Sequence, residues 1–436
     1  VSIHYDFDFD LSNEQNLVTT WERPKDCFID TNPRKIVIQR NSQICSAVRF
    51  AYLSAKPKLH ADNVSLIASA LNLPLSTVEE VATSMSAMCS VVISSTSSSP
   101  NGEVVTLGKL IESNVANKEH TYSRAQKQAL RFCTSNLERA LGVNPNELKL
   151  SHWNRKEWKQ FQGPSASLIE GFGTLLDQLA RDFVNAGGSL LKEHSITEVH
   201  RTSDDVVAET KNDKAKRVVV YTKGKTVVDS DYCISTLPLG VLKQRKVIFR
   251  PDLTKEKLDA IDSMGVGLVN KILLVFEHCF WNETASTLSC ESLDSETKQF
   301  FFINLFKITK KPLLVAVASG SLARHVEEVG DDVLITECVA TLRKMYPKSG
   351  GIISPISYKI SRWGHDQYSC GSHSYLRTSS SPSDYDVLAK PIDDCLFFAG
   401  EATNGEFPSS AHGALLSGRR EALRIAMYHA TRIGIS

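Results

Sequence analysis

The stretch Leu396–Arg420, LFFAGEATNGEFPSSAHGALLSGRR, decides how this chain is read. It opens on an apolar strand, passes through a turn at Gly400 and Glu401, and closes on a helix of small residues that begins near Ala411. A strand delivers its last residues to one end of a sheet. The following helix aims the unpaired amides of its first turn, and the positive end of its dipole, at the same point. Gly405 and Pro408 shape the connecting loop, while Leu415, Gly418, Ala422 and Ile425 share one face narrow enough to lie flat on a sheet. Such a unit suits a ligand that gains negative charge.

Outward from this stretch, the 436 residues are 42% hydrophobic, enough for one large two-lobed unit or more than one domain. The formal net charge is +1, so no global field argues for nucleic acid or an anionic membrane surface. Ten cysteines are scattered without a CxxC pair or a Cys/His cluster at zinc spacing. That pattern predicts free thiols in a reducing compartment and no metal site. No run of about 18 apolar residues predicts a membrane span, and the opening VSIHYDFDFD reads as neither a signal nor a transit peptide. A soluble chain is expected, and its valine start predicts native residues upstream.

Residues 1–100 form a divergent N-terminal region. Tyr5, Phe7 and Phe9 alternate with Asp6, Asp8 and Asp10 as in a half-exposed strand, 66–88 has helical spacing, and 94–99 is a serine-rich connection. Helical periodicity returns over 124–140. Strands are predicted at 190–192, 206–209, 218–221, 232–236, 271–276, 300–305 and 313–318, and a helix over 331–346. Strand and helix alternate to the end, the pattern of an α/β chain built as α+β lobes. The segment LIEGFGTLL at 168–176 invites a dinucleotide fingerprint, but Leu176 stands where the third glycine belongs, so a turn that opens a helix is the better reading.

Further motifs follow in a fixed order: STLPLGVLK at 235–243, GVGLVNKILLVF at 265–276, Phe280-Trp281, Ser361-Arg362-Trp363 and Gly371-Ser372-His373-Ser374-Tyr375. Asn136-Leu137-Glu138 and Leu150-Ser151-His152-Trp153 precede them. Over roughly 100–436 the sequence resembles the FAD-dependent amine oxidases, most closely the lysine-specific histone demethylases. The resemblance implies a flavin monoamine oxidase-like two-lobed fold. In it, pieces about 164–240 and 388–436 bind FAD, and pieces about 101–163 and 241–387 form the substrate-binding lobe, to which 1–100 partly contributes.

It implies FAD as cofactor, since no ordinary side chain accepts a hydride from the carbon beside an amine. Lys271 falls on the active-site lysine that holds a water near the flavin N5 and assists reoxidation by oxygen; taken alone it reads rather as an edge lysine reaching solvent, and its place between GVG and Phe280-Trp281 inverts that preference. The cofactor-binding candidates it implies are Gly400, Glu401, Ser410, Ala411, Thr236, Leu237, Pro238, Ile196, Trp363 and Tyr368. Those for the substrate are Tyr375, Ser410 and His412, although Tyr375 also suits a core position and His412 a hydrogen bond at the helix start. The implied partners are a methylated lysine peptide or a small amine, molecular oxygen, and a chromatin complex. A nuclear location follows from the same resemblance.

The sequence departs from the family in four places. The G-x-G-x-x-G that cradles the FAD pyrophosphate does not occur, and 27–37 resembles sequence that follows it. The N-terminal part of the Rossmann-like FAD-binding lobe is therefore expected to be missing, and FAD binding to be weaker. After the His-Trp pair the demethylases carry an aspartate-rich run toward a basic histone tail; here Asn154-Arg155-Lys156-Glu157-Trp158-Lys159 reverses the sign. Tyr368 replaces a tryptophan. Residues 108–131 are too short for the coiled-coil tower that docks a corepressor. These departures keep two alternatives open, a polyamine-type oxidase and a catalytically silent relative serving as a chromatin or protein-interaction module.

Overall fold

The computed structural model describes residues 74–76, 106–116, 142–149, 171, 173–201, 218–224, 226–289, 300–347 and 353–432, with single positions between 122 and 139. The expectations for 5–10, 27–37, 94–99, 136–137, 150–153, 154–159 and 206–209, and most of those for 66–88 and 124–140, lie outside these residues.

In chain order the described strands are β1 (Ile196–Arg201), β2 (Val218–Thr222), β3 (Val227–Ser230), β4 (Cys233–Ser235), β5 (Ile248–Arg250), β6 (Gly265–Gly267), β7 (Val269–Val275), β8 (Thr287–Ser289), β9 (Phe301–Asn304), β10 (Leu313–Ser319), β11 (Ser357–Ile360), β12 (His373–Tyr375) and β13 (Leu396–Phe398). They build a five-stranded sheet ordered β11-β7-β10-β9-β8, a four-stranded sheet ordered β3-β2-β1-β5, and two pairs, β12-β6 and β13-β4. With the helices between them, this is a mixed α+β architecture. No helix among the described residues is long and apolar enough to cross a membrane.

Alternation across the five-stranded sheet separates its two faces. Ile272, Leu274 and Phe276 point with Leu314, Ala316 and Ala318 into one hydrophobic core, which the helices Gly320–Glu328 and Asp331–Met345 cover through Ala323, Val326, Leu334, Cys338 and Leu342. Lys271 and Leu273 stand on the opposite face, level with Val317 and Val315 of β10. That face is buried as well, which is why the strand reads as an almost unbroken apolar run. A second core gathers Val199, Val218 and Val220 with Leu396, Phe398, Tyr385 and Leu388.

Two lysines, Lys243 half-buried and Lys257 buried, tie this second core together. Lys243 Nζ donates to the carbonyls of Ile261, Asp262 and Met264 at 2.8–2.9 Å, closing the end of the helix Lys255–Ser263. Lys257, 2% exposed, donates to Val387 and Leu388 carbonyls at 2.8 and 2.7 Å and stacks over the Phe398 ring at 3.9 Å. Burial pushes its ammonium down to about 7. A free lysine titrates near 10.4, so between these pH values the unfolded chain binds more protons than the folded one and stability rises with pH. Urea unfolding at pH 7.5 and 9 should show the wild type gaining up to about 1.4 kcal/mol per pH unit relative to Lys257→Met.

Two expectations are corrected here. Residues 190–192 form no strand: Gly187 at φ +91° ends the helix Gly173–Asn185, Glu193 at φ +60° turns the chain again, and pairing begins only at Ile196. The final helix, Ala411–Arg432, does not pack through Leu415 and Ala422, which are exposed. Gly413, Ser417 and Glu421 face inward, with Arg420 reaching the Phe398 and Thr403 carbonyls at 3.0 and 2.7 Å. Orphan backbone groups beside the Gly400 turn require polar partners, so a polar stripe outcompetes the apolar one.

Candidate active site

β4 and β13 lie side by side and parallel, Ser235 opposite Phe398, so both chains leave the sheet at the same end. Ligands of open parallel sheets bind beyond the carboxyl ends of the strands. From β4 come Thr236, exposed, then Leu237 and Pro238, whose carbonyl accepts from Leu242 to start the helix Leu239–Lys243. From β13 come Gly400 and Glu401. The structure thus brings together two groups of candidates that are about 160 residues apart in sequence.

Gly400 sits at φ +129°, a conformation that only glycine adopts at little cost, and a Cβ built on it would meet nothing within 4 Å. Its amide donates to Ser417 Oγ at 2.8 Å. The hydroxyl oxygen of Ser235, at the end of β4, is buried and has no hydrogen-bond partner. A backbone open for close approach beside an unsatisfied hydroxyl has room and a free polar atom to offer a ligand.

Glu401 is held by the protein itself. Its carboxylate accepts from the Ser374 amide at 2.9 Å, the Ser374 hydroxyl at 2.7 Å and the Ser409 amide at 2.8 Å. Ser409, at φ +57°, returns its hydroxyl to the Ser374 carbonyl. Ser410 caps the final helix: its hydroxyl donates to Phe407 O at 2.7 Å and accepts from the Gly413 amide at 3.1 Å, with His412 Nε2 at 3.3 Å. The His412 ring packs edge-on to Phe407. Ala411, exposed, is the first residue of the helix.

Lys271, 8% exposed, is reached from a different direction. Its amide donates to Ser361 Oγ at 2.8 Å, and its carbonyl accepts from the Ser361 amide at 2.9 Å. The three residues of the Ser361-Arg362-Trp363 motif have separate tasks. Ser361 grips Lys271, while Arg362 closes the helix Gly320–Glu328 through the Val326 and Val329 carbonyls and pairs with Asp331. Trp363 is 39% exposed.

The chain from Ser361 to Tyr375 then runs from Lys271 to the Gly400 turn. The carbonyls of Ser369 and Cys370 lie so close over Gly240 that any Cβ there would collide with them, which places the turn carrying Tyr368 against the helix that follows Pro238. Tyr368 is exposed. Ser372 brackets the Val269 amide and carbonyl, and Ser374 ends the path at Glu401. Tyr375 lies flat on Gly265, its hydroxyl donating to Glu147 Oε2 at 2.7 Å; burial and that carboxylate raise its pKa well above the ordinary phenol value. Ile196 stands apart at the start of β1, exposed and opposite Thr222.

Sequence reasoning passed over Ser374, Ser417, Asn270 and Ser235 as site builders. Serine and asparagine carry no spacing signal, and only the fold shows that Ser374 and Ser417 face the same turn. His373, next to Ser374 in the motif, is half-buried, and desolvation lowers its pKa. Phe280-Trp281 is core: the rings pack edge-on with Phe276 and Tyr346, and Trp281 Nε1 donates to Asn304.

The family model described as flavin containing amine oxidoreductase matches residues 74–426. Lysine-specific histone demethylase 1 homolog 2 of Oryza sativa subsp. japonica is 34% identical over 326 residues, 74% of this chain and 40% of the rice protein. The Arabidopsis thaliana protein of the same description is 31% identical over 324 residues, covering 74% of this chain and 41% of its own length. Histone demethylase-like protein A of Aspergillus fumigatus is 31% identical over 335 residues, 73% of this chain and 30% of the fungal protein. The chain spans less than half the length of these relatives.

Proposed function

Because this chain belongs to the flavin-containing amine oxidoreductases, we propose that it oxidises the C–N bond of a methylated lysine, or of another secondary amine, with FAD as the electron acceptor and hydrogen peroxide as a product. One observation carries the reading: Gly400, open to close approach, and the unpaired Ser235 hydroxyl stand at the same end of two parallel strands. The Ser361–Ser374 path ties that end to Lys271. These residues fit a flavin. FAD, when bound, supplies the hydride acceptor that side chains lack.

The protein's own residues divide the remaining work. Gly400, Ala411 and the Thr236–Pro238 segment hold and flank the cofactor, and the start of the final helix favours negative charge beside it. Glu401 acts on the cofactor through the turn that it braces. Trp363 and Tyr368 wall the slot and keep water out, Tyr375 and His412 border the substrate, and Lys271 Nζ holds a water and a proton. The cofactor-binding pieces are about 164–240 and 388–436, the substrate-binding pieces about 101–163 and 241–387, and the place of action is the nucleus, in the chromatin setting that the relatives' names suggest.

The test is the visible absorption spectrum of the purified protein with and without added FAD. Bound-flavin bands support the proposal, and a chain that stays colourless after reconstitution overturns it. Gly400→Val, which fills the open space with a side chain at a disfavoured φ, should weaken FAD binding about tenfold or more, on the order of 1.4 kcal/mol. A peroxide-coupled assay of methylated histone peptides against spermine-like amines then identifies the substrate class.

A further inference from the structure

Asn270 precedes Lys271 and points to the opposite face of β7, where it is fully buried. An asparagine is an unexpected occupant of that apolar layer, and every polar atom of its side chain is in use. Its Oδ1 accepts from the Trp363 amide at 3.0 Å and the Ser361 hydroxyl at 3.4 Å. Its Nδ2 donates to Glu327 Oε1 at 2.7 Å and to the Ala323 carbonyl at 3.4 Å.

Glu327, on the helix Gly320–Glu328, has a side chain only 8% exposed. Besides Asn270 it accepts from the Gly364 amide at 2.8 Å and the His365 amide at 3.0 Å, and pairs with His365 Nδ1 at 3.2 Å. A Cβ on Gly364 would press on this carboxylate and push it from its place. Three consecutive backbone amides, Trp363 to His365, are thus fixed by two buried side chains.

We propose that Asn270 and Glu327 are positioning residues that set the Trp363 loop against Lys271 and so shape the slot in which the amine meets the flavin. The inference rests on the flavin reading above. Neither residue need touch substrate or cofactor; both act through the loop. A buried carboxamide–carboxylate pair fixes one geometry because the donor and acceptor order cannot be reversed: only Asn270 can donate across it, and Glu327 can only accept while ionised.

The decisive variant is Asn270→Asp, nearly isosteric, which sets two carboxylates against each other. Hydrogen–deuterium exchange of the purified chain should show the peptides covering 361–370 exchanging at least about tenfold faster, with the β9–β10 peptides unchanged. In FAD-reconstituted protein, the near-ultraviolet and visible circular dichroism of the flavin should change, and kcat should fall about 10- to 100-fold with a smaller change in KM. Asn270→Asp combined with Glu327→Gln, which restores a donor across the pair but turns that NH₂ toward the Gly364 amide, should recover part of the exchange protection and of kcat. Faster exchange without any change in flavin dichroism or kcat overturns the proposal while leaving the flavin reading intact. Unchanged exchange also overturns it. A wild type that binds no flavin overturns the flavin reading itself, and with it the positioning role.

Discussion

Lys271→Met should lower amine turnover about 10²- to 10³-fold while the protein still binds FAD. The lysine is 8% exposed on the face of β7 turned away from the helix-covered core, level with Val317 and beside the Ser361 grip. Methionine keeps the length and apolar stem that pack on that face, and it removes only the group able to hold a water and exchange a proton. The loss should fall on turnover in air, read by a peroxide-coupled assay. The strength of FAD binding should change little, since Gly400, Ser235 and the first turn of the last helix are untouched. A variant that turns over like the wild type would reduce Lys271 to a packing residue whose ammonium finds a local partner. A variant that loses FAD altogether would move it from proton handling to cofactor retention.

How much of this arrangement is visible in the chain differs from one element to the next. β7 and β10 announce themselves, because both faces are buried and apolar residues run without a break over Ile272–Val275 and Leu313–Ala318. The helix at Ala411 is equally plain. Its packing face is not: Leu415 and Ala422 advertise an apolar stripe, yet Ser417 and Glu421 go inside, drawn by the Gly400 amide and by Arg420. The false strand at 190–192 has the right residues but no partner, and pairing is a property of the fold. Lys271 and Gly400 could be named from motif order. The strap between them could not, since its working groups are backbone amides and serine hydroxyls, which composition and periodicity do not register.

The second large effect concerns Glu401. Glu401→Ala should destabilise the fold by about 3–5 kcal/mol, because it strands buried donors rather than exposing an idle carboxylate. The Ser374 amide and hydroxyl and the Ser409 amide all donate to it, and Ser374 is fully buried. Charge-assisted hydrogen bonds contribute about 1.5–3 kcal/mol each, and a buried donor left without a partner costs about 1–3 kcal/mol; the sum is non-additive because all three share one side chain. Glu401→Gln should recover only part of the loss. The Ser374 hydroxyl can rotate to meet an amide NH₂, but the Ser374 and Ser409 amides sit on different oxygens and one of them would face a donor. Urea unfolding of the two variants, with FAD titration of each, separates scaffold from contact. If alanine lowered stability by under about 1 kcal/mol yet abolished FAD binding, the carboxylate would be a direct cofactor ligand. If stability falls as expected and FAD binding weakens with it, Glu401 works by holding β12 against the turn that carries Gly400.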